Sequence, residues 1–119
     1  MSRIQADTDY ELTKGIELLF KKTVAPILVL RLLSKQKCYI TEIPKKVEEM
    51  TDGAVKLCLP YTICTRLRSN GLIAVDAELK DGRKRQIYKI TEKGLDFLRQ
   101  QSASYINCVN SVAAVFREE

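Results

Sequence analysis

The sequence predicts a mainly helical α+β fold, in which short helices precede a β-hairpin and one long helix closes the chain. Three observations carry this prediction. Apolar residues recur at intervals of three and four through much of residues 12–70, as on one face of an α-helix. Between residues 72 and 90 the apolar period shortens to two, which is typical of strands. From residue 92 onward the helical period returns.

The composition favours one cytoplasmic globular domain. The chain has 119 residues, of which 45% are hydrophobic and 29% charged, and this length and balance suit a single hydrophobic core. The longest apolar run, residues 23–33, is about half as long as a membrane-spanning helix. Residues 1–9 are polar and lack the apolar centre of a signal peptide. We therefore expect no membrane partner.

The first helical pattern divides into two predicted helices. The apolar face of the first helix consists of Leu12, Ile16, Leu19 and Phe20. Thr23 is a suitable N-cap for the second helix, and Pro26 would fall in its first turn, where a missing N–H is tolerated. This second helix covers the apolar residues 27–33 and ends near Ser34. Pro26 is thus expected to mark a kink or joint between the two.

A short helix is predicted over residues 42–50. Thr41 is its expected N-cap, and Pro44 lies in its first turn. The residues expected on its buried side are Ile43, Val47 and Met50. The pair Asp52-Gly53 ends this helix.

The next helix is the one with the most informative surface. After residues 54–59, which are expected to be extended, Pro60 opens this helix and Asn70-Gly71 ends it in a left-handed turn. The residues placed toward the core are Pro60, Ile63, Cys64 and Leu67. The opposite face holds hydroxyls, two guanidiniums and a tyrosine, with no acid, and its residues are Tyr61, Thr62, Thr65, Arg66, Arg68 and Ser69.

A β-hairpin and a long helix complete the pattern. Residues 72–79 and 84–90 are the predicted strands, and Asp81-Gly82 between them is a strong hairpin turn signal. Thr91 is the expected N-cap of a helix from residue 92 to about residue 116. Its apolar seam has the spacing of a coiled coil and consists of Leu98, Ser102, Tyr105, Val109, Val112 and Phe116.

Three helices followed by a two-stranded hairpin is the element order of a winged helix-turn-helix. In that fold the third helix enters the major groove of DNA and the hairpin, called the wing, touches the flanking backbone. We therefore divide the chain into a winged-helix DNA-binding domain with its N-terminal helix, residues 1–94, and a C-terminal dimerisation helix, residues 95–119. The apolar seam of the C-terminal helix is larger than a domain of this size can cover, so we expect the C-terminal helices of two chains to cover each other.

The charge distribution supports DNA as the partner. Residues 56–93 hold 9 basic and 4 acidic side chains, whereas residues 1–55 hold 9 and 8 and residues 94–119 hold 2 and 3. Cations cluster at the predicted wing, where we expect Lys80, Arg83, Lys84 and Arg85 to contact phosphate. The alternatives are a merely solvated polar helix face and an edge-strand charge cluster that prevents aggregation.

Catalytic and metal sites are disfavoured by the residue types present. The chain has no histidine, which removes the usual general base and the Ser-His and Cys-His pairs. Its four cysteines form no C-x-x-C pair, so we expect reduced, mostly buried thiols without metal or cofactor. We expect no enzyme.

The wing and the third helix resemble those of PadR-type transcriptional regulators. Residues 82–94 (GRKRQIYKITEKG) resemble the family pattern G-R-x-R-x-Y-Y-x-L-T-x-x-G, with Ile87 in place of the first tyrosine. Residues 61–73 (YTICTRLRSNGLI) are similar to Y-x-x-L-x-R-L-x-x-x-G-L-I, with Cys64 in place of leucine. Residues 39–43 (YITEI) resemble Y-G-Y-E-I. The family usually has a small or hydroxyl residue near the start of the third helix, where this chain has residues 58–60 (CLP).

What the resemblance implies is a bacterial homodimeric repressor that binds an inverted-repeat operator and often responds to a small, frequently aromatic, effector. Family members dimerise through the C-terminal helix packed on the partner's N-terminal helix. The expected interface residues are therefore Leu12, Ile16, Leu19, Phe20, Leu98, Tyr105, Val109, Val112 and Phe116. An aromatic effector would rest on tyrosine or phenylalanine, such as Tyr10, Phe20, Phe97, Tyr105 or Phe116, because tryptophan is absent. The alternative is a winged helix that binds another protein and not DNA.

Overall fold

A mainly helical α+β architecture is observed in the computed structural model, which describes the backbone of residues 3–117 and the side chains of residues 17–117, together with the surroundings of Gly15. The elements are, in order, α1 (Arg3–Lys35), β1 (Cys38–Tyr39), α2 (Ile43–Met50), α3 (Pro60–Ser69), β2 (Ile73–Lys80), β3 (Arg83–Ile90) and α4 (Glu92–Arg117). The predicted fold class is confirmed. None of the described helices combines the length and apolar character needed to cross a bilayer.

The N-terminal helix α1 is continuous, so the expected division into two helices is wrong. Pro26 lies inside it. The Thr23 hydroxyl donates to the carbonyl of Phe20, 2.8 Å away, within the same helix, and caps no second one. Val24 and Val29, on either side of the proline, are buried in one core. Burying both turns together offsets the roughly 3 kcal/mol that a proline inside a helix costs.

Helix α2 begins without the expected threonine cap. Its N-cap residue is Glu42 rather than Thr41, and no side chain caps the helix. The carboxylate of Glu42 instead accepts a hydrogen bond from the backbone N–H of Tyr39, at 2.9 Å. Pro44 does lie in the first turn.

The far end of α2 corrects one predicted core residue. Ile43 and Val47 are fully buried, but Met50 is 40% exposed. Met50 is the last residue of the helix, and the chain leaves the core directly after it through Asp52 and Gly53, whose φ angles are +50° and +82°.

The sheet has three antiparallel strands in the order β1-β3-β2. Strands β2 and β3 form the predicted hairpin, with Ile73 opposite Ile90 at its base and Lys80 opposite Arg83 at its tip. Both turn residues, Asp81 and Gly82, have positive φ, as a type I′ turn requires.

The sequence did not reveal strand β1. Strand β1 pairs with β3, with Cys38 opposite Tyr88 and Tyr39 opposite Ile87. Residues 54–59, expected to be extended, form no strand. Two residues are too few to show a period of two, and their pairing depends on a partner about 50 residues away in sequence.

The core lies between α1, α2, α3 and the base of the sheet. Its fully buried side chains include Leu30, Ile43, Val29, Val47, Cys38 and Cys64. Among the cysteines, two are buried, whereas Cys58 and Cys108 are exposed, so the expectation of mostly buried thiols holds for only half of them. Thr91 caps α4 as predicted, since its hydroxyl oxygen accepts the N–H of Gly94 at 3.0 Å.

Candidate nucleic-acid interface

Helix α3 is fixed at both ends by backbone features. Pro60 occupies the first turn and Leu59 is the N-cap residue, with no side-chain cap. At the other end Gly71 has a φ of +74°, its N–H bonds to the carbonyl of Arg68, and the N–H of Leu72 bonds to that of Leu67, each at 2.9 Å. This is the Schellman arrangement, and it passes the chain directly into β2.

The inner face of α3 is the predicted one. Cys64 and Leu67 are buried, and Ile63 packs against the core. Burial raises the pKa of the Cys64 thiol to about 11, so the sulfur is a neutral core group at physiological pH. The six residues predicted for the outer face are all exposed, and these are Tyr61, Thr62, Thr65, Arg66, Arg68 and Ser69.

The two arginines of α3 lie on opposite flanks of this outer face. Arg68 lines a cleft with Thr65 and Ser69, and the far wall of that cleft is Tyr88 of β3. Arg66 lies on the other flank, beside Pro26 of α1. Burial, more than any charge, raises the pKa of Tyr88, while Arg68 lowers it. The flank of Arg68 therefore continues toward the wing, and that of Arg66 continues toward α1.

The wing has two chemically different faces. Directly opposed residues of β2 and β3 share a face, and neighbours along a strand alternate between faces. Lys84 and Gln86 share the face of Tyr88, and the β2 residues opposite them are Leu79 and Ala77. With α3, this face forms a surface without carboxylates, which we call the α3-wing surface.

The second face of the wing mixes both signs of charge. It carries Glu78 opposite Arg85 and Lys80 opposite Arg83. Lower on the same face, Lys89 pairs with Asp76 at 2.9 Å, which holds the pKa of that carboxyl below its ordinary value.

The structure thus divides the predicted wing cations between the two faces. Lys84 alone lies on the α3-wing surface, while Lys80, Arg83 and Arg85 lie on the other face. Within the described chain no carboxylate oxygen lies within 4 Å of the charged nitrogens of Arg83, Lys84 or Arg85.

Lys80 differs from these cations, because its ammonium lies 5.1 Å from the ring centroid of Tyr39. Gln86 was not among the residues predicted for the DNA-binding surface. It shares a face of the wing with Tyr88, two residues further along β3, so the alternation of side chains along a strand would have placed it there.

The residues expected at a dimer interface are largely uncovered in the single chain. Leu19, Val112 and Phe116 are 63%, 57% and 81% exposed. Tyr105 is half-buried, and its ring centroid lies 6.2 Å from that of Phe20. Val109 is exposed, whereas Leu98 is buried in the chain's own core. The side chains of Leu12 and Ile16, like that of Tyr10, lie outside the described residues.

A cavity of about 300 Å³ lies between α1 and α3. Most of its lining is aliphatic, from residues such as Leu18, Ala25 and Leu57, and three cations, Lys21, Lys22 and Arg66, join it. Of the aromatic residues expected for an effector whose side chains are described, namely Phe20, Phe97, Tyr105 and Phe116, none lines this cavity, and Phe97 lines a neighbouring cleft. Within residues covered by the structure, no three potential metal-ligating side chains cluster together.

These elements define the class of winged helix-turn-helix proteins, with α3 as the exposed third helix and β2-β3 as the wing. The family model described as "Transcriptional regulator PadR-like family" matches residues 29–100. The chain belongs to this PadR-like family of transcriptional regulators. No curated protein matches the sequence.

Several solved structures share the fold. A PadR family transcriptional regulator from Eggerthella lenta superposes with a TM-score of 0.78 at 21% identity, covering 94% of this chain and 98% of that one. A PadR-like transcriptional regulator from Bacillus cereus gives a TM-score of 0.72 at 25% identity, covering 82% and 96%. PadR from Bacillus subtilis, in complex with operator DNA, gives 0.60 at 18% identity, covering 66% and 46%.

Proposed function

We propose that this regulator binds DNA sequence-specifically through its α3-wing surface. The observation that carries the proposal is that α3 and the Lys84 face of the wing form one exposed surface without a carboxylate. Phosphate repels carboxylates and attracts cations, so a surface built for the DNA backbone lacks the former and carries the latter. The operator complex of the Bacillus subtilis protein supports the same use of the fold.

Two kinds of contact follow from the chemistry of this surface. Arginine on α3 can donate two hydrogen bonds to guanine, and threonine offers a hydroxyl and a methyl group that suit thymine. The outermost residues of α3 are the ones that would enter the major groove, namely Tyr61, Thr62, Thr65, Arg66, Arg68 and Ser69. On the wing, Lys84 would contact phosphate from the α3-wing surface, and Arg83 and Arg85 would reach phosphates beside the groove from the opposite face of the hairpin.

We further propose that the protein acts as a homodimeric repressor on an inverted repeat. The apolar residues left uncovered on α4 and at Leu19 and Phe20 of α1 support the dimer. In this proposal residues 1–94 carry the DNA-binding domain, residues 95–119 continue as the dimerisation helix, and two-fold symmetry pairs two half-sites. Repression rests on the family resemblance alone.

The cavity between α1 and α3 is where we would place an effector. Its aliphatic lining suits a small ring, and Lys21, Lys22 and Arg66 suit an anionic substituent such as a carboxylate. Thr62 and Arg66 line this cavity and also belong to the α3-wing surface. A ligand that holds Arg66 in the cavity would therefore withdraw it from DNA.

Selection of bound fragments from random or genomic DNA tests the proposal. We expect enrichment of one inverted repeat with half-sites about 10 base pairs apart, centre to centre, or a multiple of that spacing. Recovery of fragments without a shared motif would contradict sequence-specific binding. Failure to retain any DNA would favour the alternative, a winged helix that binds another protein.

A further inference from the structure

The outer half of the wing projects beyond the core. Every residue from Ala77 to Gln86 is exposed, and Leu79 is 72% exposed. A two-stranded hairpin without packing on either face is marginally stable in water. Side chains that reach it from the rest of the fold therefore help to fix its direction relative to α3.

Tyr39 is the residue that reaches it. Strand β1 lies beside β3, and β3 lies between β1 and β2. The Tyr39 side chain crosses β3, and its hydroxyl donates to the carboxylate of Glu78 on β2 at 3.1 Å. The Lys80 ammonium lies over the same ring, at 5.1 Å from the centroid. Among the described side chains, the hydrogen bonds and cation-π contacts that reach residues 77–86 all come from Tyr39.

The base of Tyr39 is tied to the start of α2. Its backbone N–H donates to the Glu42 carboxylate at 2.9 Å, and Glu42 also pairs with Lys46 at 3.2 Å. The N–H of Tyr39 and the cations of Lys46 and Lys80 hold the pKa of Glu42 below its ordinary value. The ring thus connects the helical part of the fold to the outer wing.

The protonation state of the Tyr39 hydroxyl is the one that its hydrogen bond to Glu78 requires. Desolvation, followed by its hydrogen bond to Glu78, raises the pKa of Tyr39 above its ordinary value. The hydroxyl therefore keeps its proton at neutral pH and remains a donor.

We propose that Tyr39, Glu78 and Lys80 form a clasp that fixes the angle of the wing relative to α3, with Tyr39 as a positioning residue for DNA binding. This inference rests on the proposed function. In the clasp, Lys80 is engaged by Tyr39 and is not a principal phosphate contact, which revises its expected role. Because ordering a flexible segment at the moment of binding weakens affinity, a held wing binds more tightly than a free one.

A double-mutant cycle tests the clasp in DNA binding. We expect Tyr39→Leu to weaken operator binding about three- to tenfold, in the range of one or two side chains left unordered. Lys84→Ala should reduce operator affinity by a smaller factor in the Tyr39→Leu background than in the native protein, because a wing whose direction is not fixed seldom brings Lys84 to a phosphate. The cost of Arg66→Ala, on the far flank of α3, should be the same in both backgrounds. Additive costs for Tyr39→Leu and Lys84→Ala would overturn the proposal.

Glu78 offers a pair of variants matched in charge. Glu78→Gln keeps an oxygen that can accept from the Tyr39 hydroxyl, whereas Glu78→Ala does not, and both remove one negative charge. We expect Glu78→Ala to bind the operator more weakly than Glu78→Gln. Equal affinities would count against the hydrogen bond as part of the clasp.

Hydrogen exchange in the absence of DNA separates the clasp from the proposed function. Amides of residues 77–86 should exchange faster in Tyr39→Leu and Glu78→Ala than in Glu78→Gln and the native chain, while those of α3 should not change. Unchanged exchange in residues 77–86 would overturn the clasp, even if DNA binding is intact. Faster exchange in a protein that binds no DNA would uphold the clasp and reject the proposed function.

Discussion

Arg66 and Arg68 are two residues apart in sequence, yet they lie on opposite flanks of α3, and the wing cations lie on different faces of one hairpin. Because of these placements, the basic residues of α3 and of the wing are expected to have different roles in DNA binding. The periodicity of side chains along a helix can be read from the sequence. For this reason the exposed outer face of α3 and the burial of Cys64 and Leu67 on its inner face were predicted correctly. The engagement of Lys80 by Tyr39 was not readable, because Tyr39 belongs to a strand that only the folded chain creates.

Arg66 and Arg83 should affect DNA binding in different ways. Arg66→Ala removes a potential donor to base edges, so we expect it to relax base preference. Arg83→Ala removes a proposed phosphate contact, so it should weaken binding to all sequences about equally and lower by about one the slope of log affinity against log salt concentration. Binding of both variants to operator and random DNA at several salt concentrations measures this contrast. Equal effects on the two DNAs from both variants would exclude Arg66 from the base-reading residues.

The buried thiol of Cys64 should make stability depend on pH in the alkaline range. Its pKa is about 11 in the folded protein and has an ordinary value of 9.0. Below pH 9 the thiol is neutral in both states, whereas between pH 9 and 11 only the unfolded chain gains by ionising. The free energy of unfolding should thus fall by about 2–3 kcal/mol across this range.

Urea unfolding at several pH values, compared with Cys64→Ala, isolates this contribution. The variant starts less stable because it leaves a cavity, but it should lose less stability as the pH rises. Parallel pH profiles for the two proteins would show that Cys64 does not cause the decline.

Between elements, α4 begins in close contact with the residue that precedes β2. Gly94 is buried there, and a Cβ at this position would overlap the carbonyl group of Leu72 and the side chain of Ile90. The Thr91 hydroxyl also donates to the carbonyl of Gly71 at 2.7 Å, which holds the same junction.

We expect Gly94→Ala to destabilise the fold by about 1–3 kcal/mol or more, because backbone must move to admit the methyl group. Gly15→Ala is the matched control. Gly15 lies in α1, and among the described residues nothing outside its own helical backbone comes within 4 Å of its potential Cβ, so replacing it should stabilise the helix by roughly 0.5–1 kcal/mol. Thermal and urea unfolding measure both. A stable Gly94→Ala variant would mean that α4 does not begin so close to β2.

Elements defined by local signals were predicted well. Asp81-Gly82 specifies its own turn, and Thr91 and Gly71 specify the ends of helices, so the hairpin, α3 and α4 were placed within about a residue of their observed bounds. The continuous α1 and the strand β1 were missed. The proline in α1 is tolerated through packing on the core, and β1 exists through pairing with β3, and neither cause is local.

For the whole molecule, the exposed apolar side of α4 leads to a prediction about assembly. Val112→Glu places a charge on the uncovered seam, so we expect monomers with poor operator affinity but unchanged stability of the single fold. Ala114→Glu, which points away from the seam by helical geometry, should remain dimeric. Truncation before Ser102 should also give a monomer. Analytical ultracentrifugation distinguishes these outcomes, and a truncated chain that still sediments as a dimer would contradict the proposed interface.

We propose above all that the α3-wing surface holds the phosphate backbone of DNA. The affinity of the full chain for its selected operator, measured as salt rises from about 50 to 200 mM, tests this contact. If six or more phosphates are contacted, affinity should fall by on the order of a thousandfold over this range of salt. Lys84→Ala should lower by about one the slope of log affinity against log salt concentration. An affinity that hardly changes with salt, or a salt dependence that Lys84→Ala leaves unaltered, would contradict phosphate binding by this surface.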